Sequence, residues 1–123
     1  MKIRVYYEDT DAGGIVYHTN YIKYCERARS EIFFEQGQIP SLSQSSGFVV
    51  RDINASFLAT ATLGDMLHVS TDIVNIRNSS ITLLQEVWKE EIKLFSMEVV
   101  LVYIDKGHPC RIPDIFRDIF KAF

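Results

Sequence analysis

A chain of 123 residues, 47% of them hydrophobic, with a formal net charge of −3, is long enough for one packed domain and too apolar to stay disordered. Acids and bases mix along its length, and the slight acidity argues against nucleic acid as a partner. Two cysteines, Cys25 and Cys110, do not make a disulfide framework and point to a reduced, cytoplasmic setting.

The chain alternates from Met1-Lys2-Ile3-Arg4 onward, which leaves no room for a secretory leader. Its most apolar run, Val99 to Ile104, is far too short to span a bilayer. Ile3 to Tyr7 reads as a strand. It leads into a dense run from Tyr7 to Tyr21 that holds two acids at positions 9 and 11, the pair Gly13-Gly14, His18 and several tyrosines.

Residues 18 to 37 read as a helix, with Tyr21, Cys25, Ala28 and Ile32 at helical spacing and Ile22, Arg29 and Phe33 alongside. Thr19 or Asn20 is the expected cap, Gly37 the expected C′ residue, and Pro40 closes the exit. Glu26, Arg27 and Arg29 read as a structural ion-pair group on the polar side. The Ser-rich stretch from Pro40 to Gly47 reads as a loop.

From Phe48 the period changes to two. Phe48–Phe57, a strand around Leu67, Val69, Thr71 and Ile73, a strand through Ile81, Leu83, Gln85 and Val87, and Leu94–Ile104 follow in turn. Their turns are Gly64-Asp65, Arg77 to Ser80, Glu90-Glu91 and Asp105-Lys106-Gly107. The centre of the last strand is apolar on both faces, which places it centrally or at an interface. Ile115, Phe116, Ile119 and Phe120 suggest a short amphipathic C-terminal helix. One long helix against one antiparallel sheet makes residues 1–123 a single α+β domain. A lone helix covers only part of such a sheet, so the uncovered apolar edge predicts oligomerisation.

The run Tyr7-x-Asp9-Thr10-Asp11-x-x-Gly14-x-Val16-Tyr17-His18-x-x-Tyr21, followed by Glu26-Arg27-Ala28-Arg29, resembles the hotdog-fold acyl-CoA thioesterases. Within them it resembles the 4-hydroxybenzoyl-CoA thioesterase family, in its YbgC-like branch associated with the Tol-Pal system. The likeness continues through Gly64-Asp65-x-Leu67-x-Val69 and returns at Gly107-x-Pro109-Cys110-x-Ile112-Pro113. It departs at Phe57-x-x-Thr60-Ala61, where the family often has Tyr and Pro. The resemblance implies a hotdog fold: an antiparallel sheet of about five strands wrapped around one long central helix. It implies an acyl-CoA substrate and a homodimer or homotetramer with active sites across the subunit interface. It also implies peripheral contact with inner-membrane Tol-Pal or lipid-synthesis proteins. By the same resemblance Asp11 is the catalytic carboxylate, and His18 supplies a backbone N–H to the thioester carbonyl at the helix start.

The residue types suit that chemistry. Thioester hydrolysis needs a group that accepts charge on the carbonyl oxygen and a group that supplies or activates a nucleophile. A helix N-terminus offers free N–H groups and a partial positive charge. Asp11 serves either as general base on water or as a nucleophile that forms a mixed anhydride. Asp9 reads as a loop hydrogen-bonding residue. Gly13 and Gly14 permit turns and close approach of an acyl group, and Tyr17 and Tyr21 pack at the helix start or line the acyl pocket. His18, His68 and His108 lack metal-ligand spacing, so neither metal nor cofactor is expected. Cys25 sits at a core position, and no Gly-x-Ser-x-Gly elbow occurs. Arg51, Arg77, Lys89, Lys93 and Lys106 are the candidate cations for coenzyme A phosphates. A hotdog-type dehydratase or hydratase, and a non-catalytic acyl-binding scaffold, are the competing readings.

Overall fold

Period-two alternation after residue 46 becomes four long strands in the computed structural model, which describes residues 1–123. The elements are β1 (Lys2–Arg4), α1 (His18–Phe34), β2 (Ser46–Phe57), β3 (Met66–Ile76), β4 (Ser80–Lys89), β5 (Ile92–Asp105), β6 (His108–Pro109) and α2 (Asp114–Ala122), with a 3₁₀ turn at Tyr7–Asp9. The sheet runs β1-β3-β4-β5-β2, with β6 also paired to β5, and every pairing is antiparallel. The expected α+β arrangement is therefore observed.

Odd-numbered residues carry the inner face. Val69 opposes Val87, which opposes Phe95; Leu83 opposes Val99, and Ile81 opposes Leu101. All seven are buried. Against this layer α1 presents Tyr21, Cys25, Ala28 and Ile32, the stripe that 3.6-residue periodicity predicts. β5 is paired on both sides, by β4 and β2, which makes it the interior strand that its apolar run predicts. Truncating a fully buried member of this layer such as Leu83 removes both its transfer energy and its packing, roughly 2–5 kcal/mol for a Leu→Ala change.

Gln85 stands in the inner row with no exposed surface. Its Nε2 donates to Cys25 O at 2.9 Å and to Thr71 Oγ1 at 3.0 Å, and its Oε1 accepts from Arg29 Nη1 at 3.0 Å. This corrects the ion-pair expectation for Glu26, Arg27 and Arg29. The Arg29 fork goes to a neutral amide, and Glu26 accepts instead from Ser30 Oγ. No carboxylate forms a salt bridge with any of the three basic or acidic groups.

α2 closes one end through aromatic edges. Phe33 meets Phe116 and Phe120, each at 5.5 Å, and Phe48 meets Tyr103 at 5.1 Å. Arg117 pins the helix by donating to the carbonyls of Ile112, Arg77 and Asn78.

Three local expectations need correction. β1 ends at Arg4 rather than Tyr7, because the Asp9 carboxylate accepts the Tyr6 N–H at 2.9 Å and draws the chain into the 3₁₀ turn. α1 ends at Phe34 rather than Gly37. Gly37 still acts as C′: it lies at φ +71°, and Gln38 N–H reaches back to Phe33 O at 3.0 Å while Gly37 N–H reaches Phe34 O. Neither Thr19 nor Asn20 caps α1; Tyr17 holds that position, and no side chain caps the first turn.

A Cβ at residue 37 would meet nothing within 4 Å, so substitution there costs backbone strain alone. Gly37→Ala is expected to lower stability by about 1 kcal/mol, read from urea melts.

Candidate active site

The run between β1 and α1 folds into a closed hairpin. Thr10 bridges Val16, Asp11 N–H donates to Ile15 O at 2.9 Å, and Gly14 N–H donates to Asp11 O at 3.0 Å. Gly14 takes φ +79°, the left-handed residue that such a tight turn requires. Asp11 sits at the turn. Its Oδ1 accepts the Gly13 N–H at 2.8 Å, which leaves Oδ2 without a partner in the chain. A Cβ on Gly13 would come within 3.2 Å of Asp11 Oδ1, tight enough to push the carboxylate by a few tenths of an ångström. Asp11 is solvent-exposed on the single chain. With Tyr7, Thr10, Ala12, Gly14 and Leu63 it lines a cleft of about 430 Å³.

The hairpin returns directly into α1. Asn20 N–H closes onto Tyr17 O at 2.8 Å, whereas the N–H groups of His18 and Thr19 have no partner in the chain. Two unsatisfied donors thus stand at the positive end of a 17-residue helix. The His18 ring is exposed and rests near Tyr17 and Phe57, at centroid distances of 4.6 and 5.9 Å. Tyr17 is half-exposed.

Tyr21 lies elsewhere. It is buried in the core, stacks on Phe95 at 5.5 Å, and its hydroxyl accepts the Ala61 N–H at 3.1 Å. Of the two readings of Tyr21, packing at the helix start is the one its place in the core matches, because that face of α1 points at the sheet. The apolar surface beside the hairpin and helix tip comes from Phe57, next to His18, and Leu63, which lines the Asp11 cleft, each about half-exposed. From sequence, Phe57 reads as the end of a strand and as a departure from the family pattern, and Leu63 carries no assignment.

Asp9 is buried and joins three segments, as its reading as a loop hydrogen-bonding residue anticipates. Its carbonyl accepts the Tyr17 N–H at 2.9 Å. Its carboxylate accepts the Tyr6 N–H and Asn20 Nδ2–H, both at 2.9 Å. The Tyr24 hydroxyl is wholly buried with no hydrogen-bond partner; burial first, and the neighbouring Asp9 charge second, push its pKa up. Burial pushes the Cys25 thiol up to about 12, which removes it as a nucleophile.

A second turn flanks the hairpin. Val16 N–H donates to Ala61 O at 2.9 Å, and Ile15 bridges Thr62. Thr62 is held in turn by Asp65, whose Oδ2 accepts the Thr62 N–H at 2.9 Å and whose Oδ1 meets Lys89 Nζ at 3.0 Å. Of the five candidate phosphate cations, Lys89, Lys93 and Arg51 already pair with Asp65, Glu86 and Asp52; Arg77 and Lys106 form no ion pair. No three His, Cys, Asp or Glu residues gather as a metal site.

The hydrogen bond from Thr62, and then Lys89, hold the Asp65 carboxyl below its ordinary value of 3.8. A depressed carboxyl stabilises the fold above that ordinary value and loses its contribution as pH falls through the lower folded value. Asp65→Asn is therefore expected to lower the denaturation midpoint at neutral pH, with the gap from the parent closing in acid below pH 3.8. Urea melts at the two pH values read this.

Comparison with known proteins agrees with this geometry. The thioesterase superfamily profile matches residues 13–96. The chain is 39% identical to the Helicobacter pylori acyl-CoA thioesterase YbgC, covering 99% of each chain. It is 40% identical to the Escherichia coli O157:H7 acyl-CoA thioester hydrolase YbgC, covering 97% of this chain and 92% of that one. The solved structure of a gentisyl-coenzyme A thioesterase superposes with a TM-score of 0.87 at 27% identity, covering 98% of both chains. The shared arrangement is the hotdog fold, and the chain belongs to the thioesterase superfamily, within its YbgC-like branch.

Proposed function

We propose that the chain hydrolyses acyl-CoA thioesters to free coenzyme A and a carboxylic acid, with Asp11 and the tip of α1 acting on one carbonyl. Family membership supports the hydrolase over the dehydratase and scaffold readings, since the relatives at 39% and 40% identity are named as acyl-CoA thioester hydrolases. The observation that carries the assignment of residues is local. The Asp11 carboxylate, with one oxygen free, and the unpaired N–H groups of His18 and Thr19 belong to one hydrogen-bonded hairpin–helix unit.

In this reading the thioester oxygen sits at the helix tip, where the two donors and the helix dipole take up the charge of the tetrahedral intermediate. Asp11 Oδ2 removes a proton from water as the water oxygen bonds to the carbonyl carbon. Collapse breaks the carbon–sulfur bond, and the thiolate leaves and is protonated. Direct attack by Asp11 uses the same geometry and passes through a mixed anhydride. A single turnover in ¹⁸O-labelled water separates the routes, because only the anhydride route puts label into the Asp11 side chain when water attacks at that carboxyl. Gly13 and Gly14 keep the turn low beside the acyl group, and Tyr17 lines the approach.

Assembly completes the proposal. The outer edge of β2 has no partner in the chain, and Val49, Val50, Ile53 and Phe57 on it are exposed by 41–50%. Such a strand is a template for pairing. A homodimer or homotetramer joined there covers the apolar rim beside the Asp11 cleft. No helix is long and apolar enough to cross a membrane, and a cytoplasmic location is part of the reading. Peripheral contact with Tol-Pal or lipid-synthesis proteins rests on the branch resemblance alone.

Thiol release from acyl-CoA thioesters of increasing chain length tests the activity. Asp11→Asn is expected to lower kcat by roughly 10²-fold or more with an unchanged melting temperature; no release by the parent chain on any substrate overturns the reading. Ile53→Lys is expected to shift the protein towards monomer in light scattering at micromolar concentration. A parent chain that is already monomeric there rules out the assembly.

A further inference from the structure

We infer that Asp9 and Asn20 together form a positioning pair for the reaction: their side-chain bond sets the distance between the Asp11 carboxylate and the free N–H groups of α1. The inference rests on the reading of Asp11 and the helix tip as the reacting groups. It adds two residues that touch neither substrate nor reacting atoms.

Asp9 is only 4% exposed, and no cation lies within ion-pair distance of it. A carboxylate held away from water needs its lone pairs occupied. Here one oxygen takes the Tyr6 N–H and the other takes Asn20 Nδ2–H. The first bond ties Asp9 to the segment leaving β1. The second crosses the hairpin to the first turn of α1, where Asn20 is itself only 8% exposed. The helix dipole at that turn favours a negative neighbour.

Position in the chain gives the bond its leverage. Asp9 precedes Asp11 by two residues, and Asn20 follows His18 by two. The backbone links across the hairpin are Tyr17 N–H to Asp9 O and Asp11 N–H to Ile15 O, and only the first reaches as far as the cap residue of α1. These bonds close the hairpin on itself but meet α1 only at Tyr17, so the closed unit can still tilt about that point. Adding the Asn20 amide makes a second attachment on the helix and removes the pivot. Reaction between a carboxylate, a water and a polarised carbonyl depends steeply on their spacing, and a displacement of about 1 Å is enough to cost about 10²-fold in rate. The free energy of the Asp9–Asn20 bond is thus expressed as alignment.

The alternative is that the pair contributes to folding stability alone. The two are separable because Asn20 can be altered while the Tyr6 bond remains. The test measures kcat, KM and melting temperature for the parent chain, Asn20→Ala, Asn20→Asp and the reciprocal swap Asp9→Asn/Asn20→Asp. Rates are taken well below the lowest melting temperature, so that every chain is folded. Asn20→Ala is expected to lower kcat by about tenfold to a hundredfold with little change in KM. Asn20→Asp sets two carboxylates face to face and is expected to lower kcat at least as far. The swap restores a donor opposite an acceptor, with the amide now on residue 9, and is expected to recover most of the lost kcat.

A folded Asn20→Ala chain with the parent kcat overturns the inference, as does a folded swap no faster than Asn20→Asp. If Asn20→Asp or the swap fails to fold, Asn20→Ala alone decides by the split between kcat and melting temperature. A parent chain that releases no thiol, or an Asp11→Asn chain as active as the parent, overturns the functional reading instead.

Discussion

The hairpin that joins β1 to α1 depends on the burial of one carboxylate. Asp9 accepts hydrogen bonds from the chain before it and the helix after it, and its own carbonyl closes the hairpin between them. Each bond is worth on the order of 1 kcal/mol net, but leaving the buried acceptor empty would cost more than forming the bond returns. The carboxylate therefore forces its partners into place. The 61–62 segment then steadies the other flank of the hairpin through Val16 and Ile15, and the buried Tyr21 hydroxyl links that segment to the core by accepting the Ala61 N–H. The site is continuous with the packed interior even though Asp11 itself is in contact with solvent.

The two edges of the sheet are unlike. β1 is a three-residue strand bearing Lys2 and Arg4, a short and charged edge that discourages further pairing. β2 is twelve residues long with exposed Val49, Val50, Ile53 and Phe57. Its one irregularity is the register shift between Val50 and Asp52, at Arg51, whose side chain folds onto Asp52. The difference in length and polarity gives the sheet a direction in which to grow.

Most of the architecture was legible because burial imposes a period. Ile81, Leu83, Gln85 and Val87 alternate because one face of β4 lies under α1, and Tyr21, Cys25, Ala28 and Ile32 recur because one stripe of α1 lies on the sheet. Asp11 was singled out through a resemblance carried by its neighbours, and Gly14 supplies the left-handed residue that the hairpin around it needs. What sequence concealed were the choices made by polar side chains. Alternation through Tyr7 suggested a longer first strand, but the Asp9 carboxylate competes for the Tyr6 N–H. Asn20 has the right chemistry for a cap and instead reaches across to Asp9. The spacing of Glu26 and Arg29 suggests an ion pair, yet Gln85, remote in sequence, takes the guanidinium. In each case the short-range partner was plausible and a partner supplied by the tertiary fold was better.

Since Thr10 lies opposite Val16 and Tyr17 donates to Asp9, the interval from Asp11 to His18 is the circumference of a closed ring rather than the length of a tether. One extra or missing residue within it would rotate the acid away from the helix axis, whatever the newcomer's chemistry. The Ser-rich connection between α1 and β2 carries no such arithmetic, so length variation in this architecture is tolerated behind the helix and forbidden in front of it.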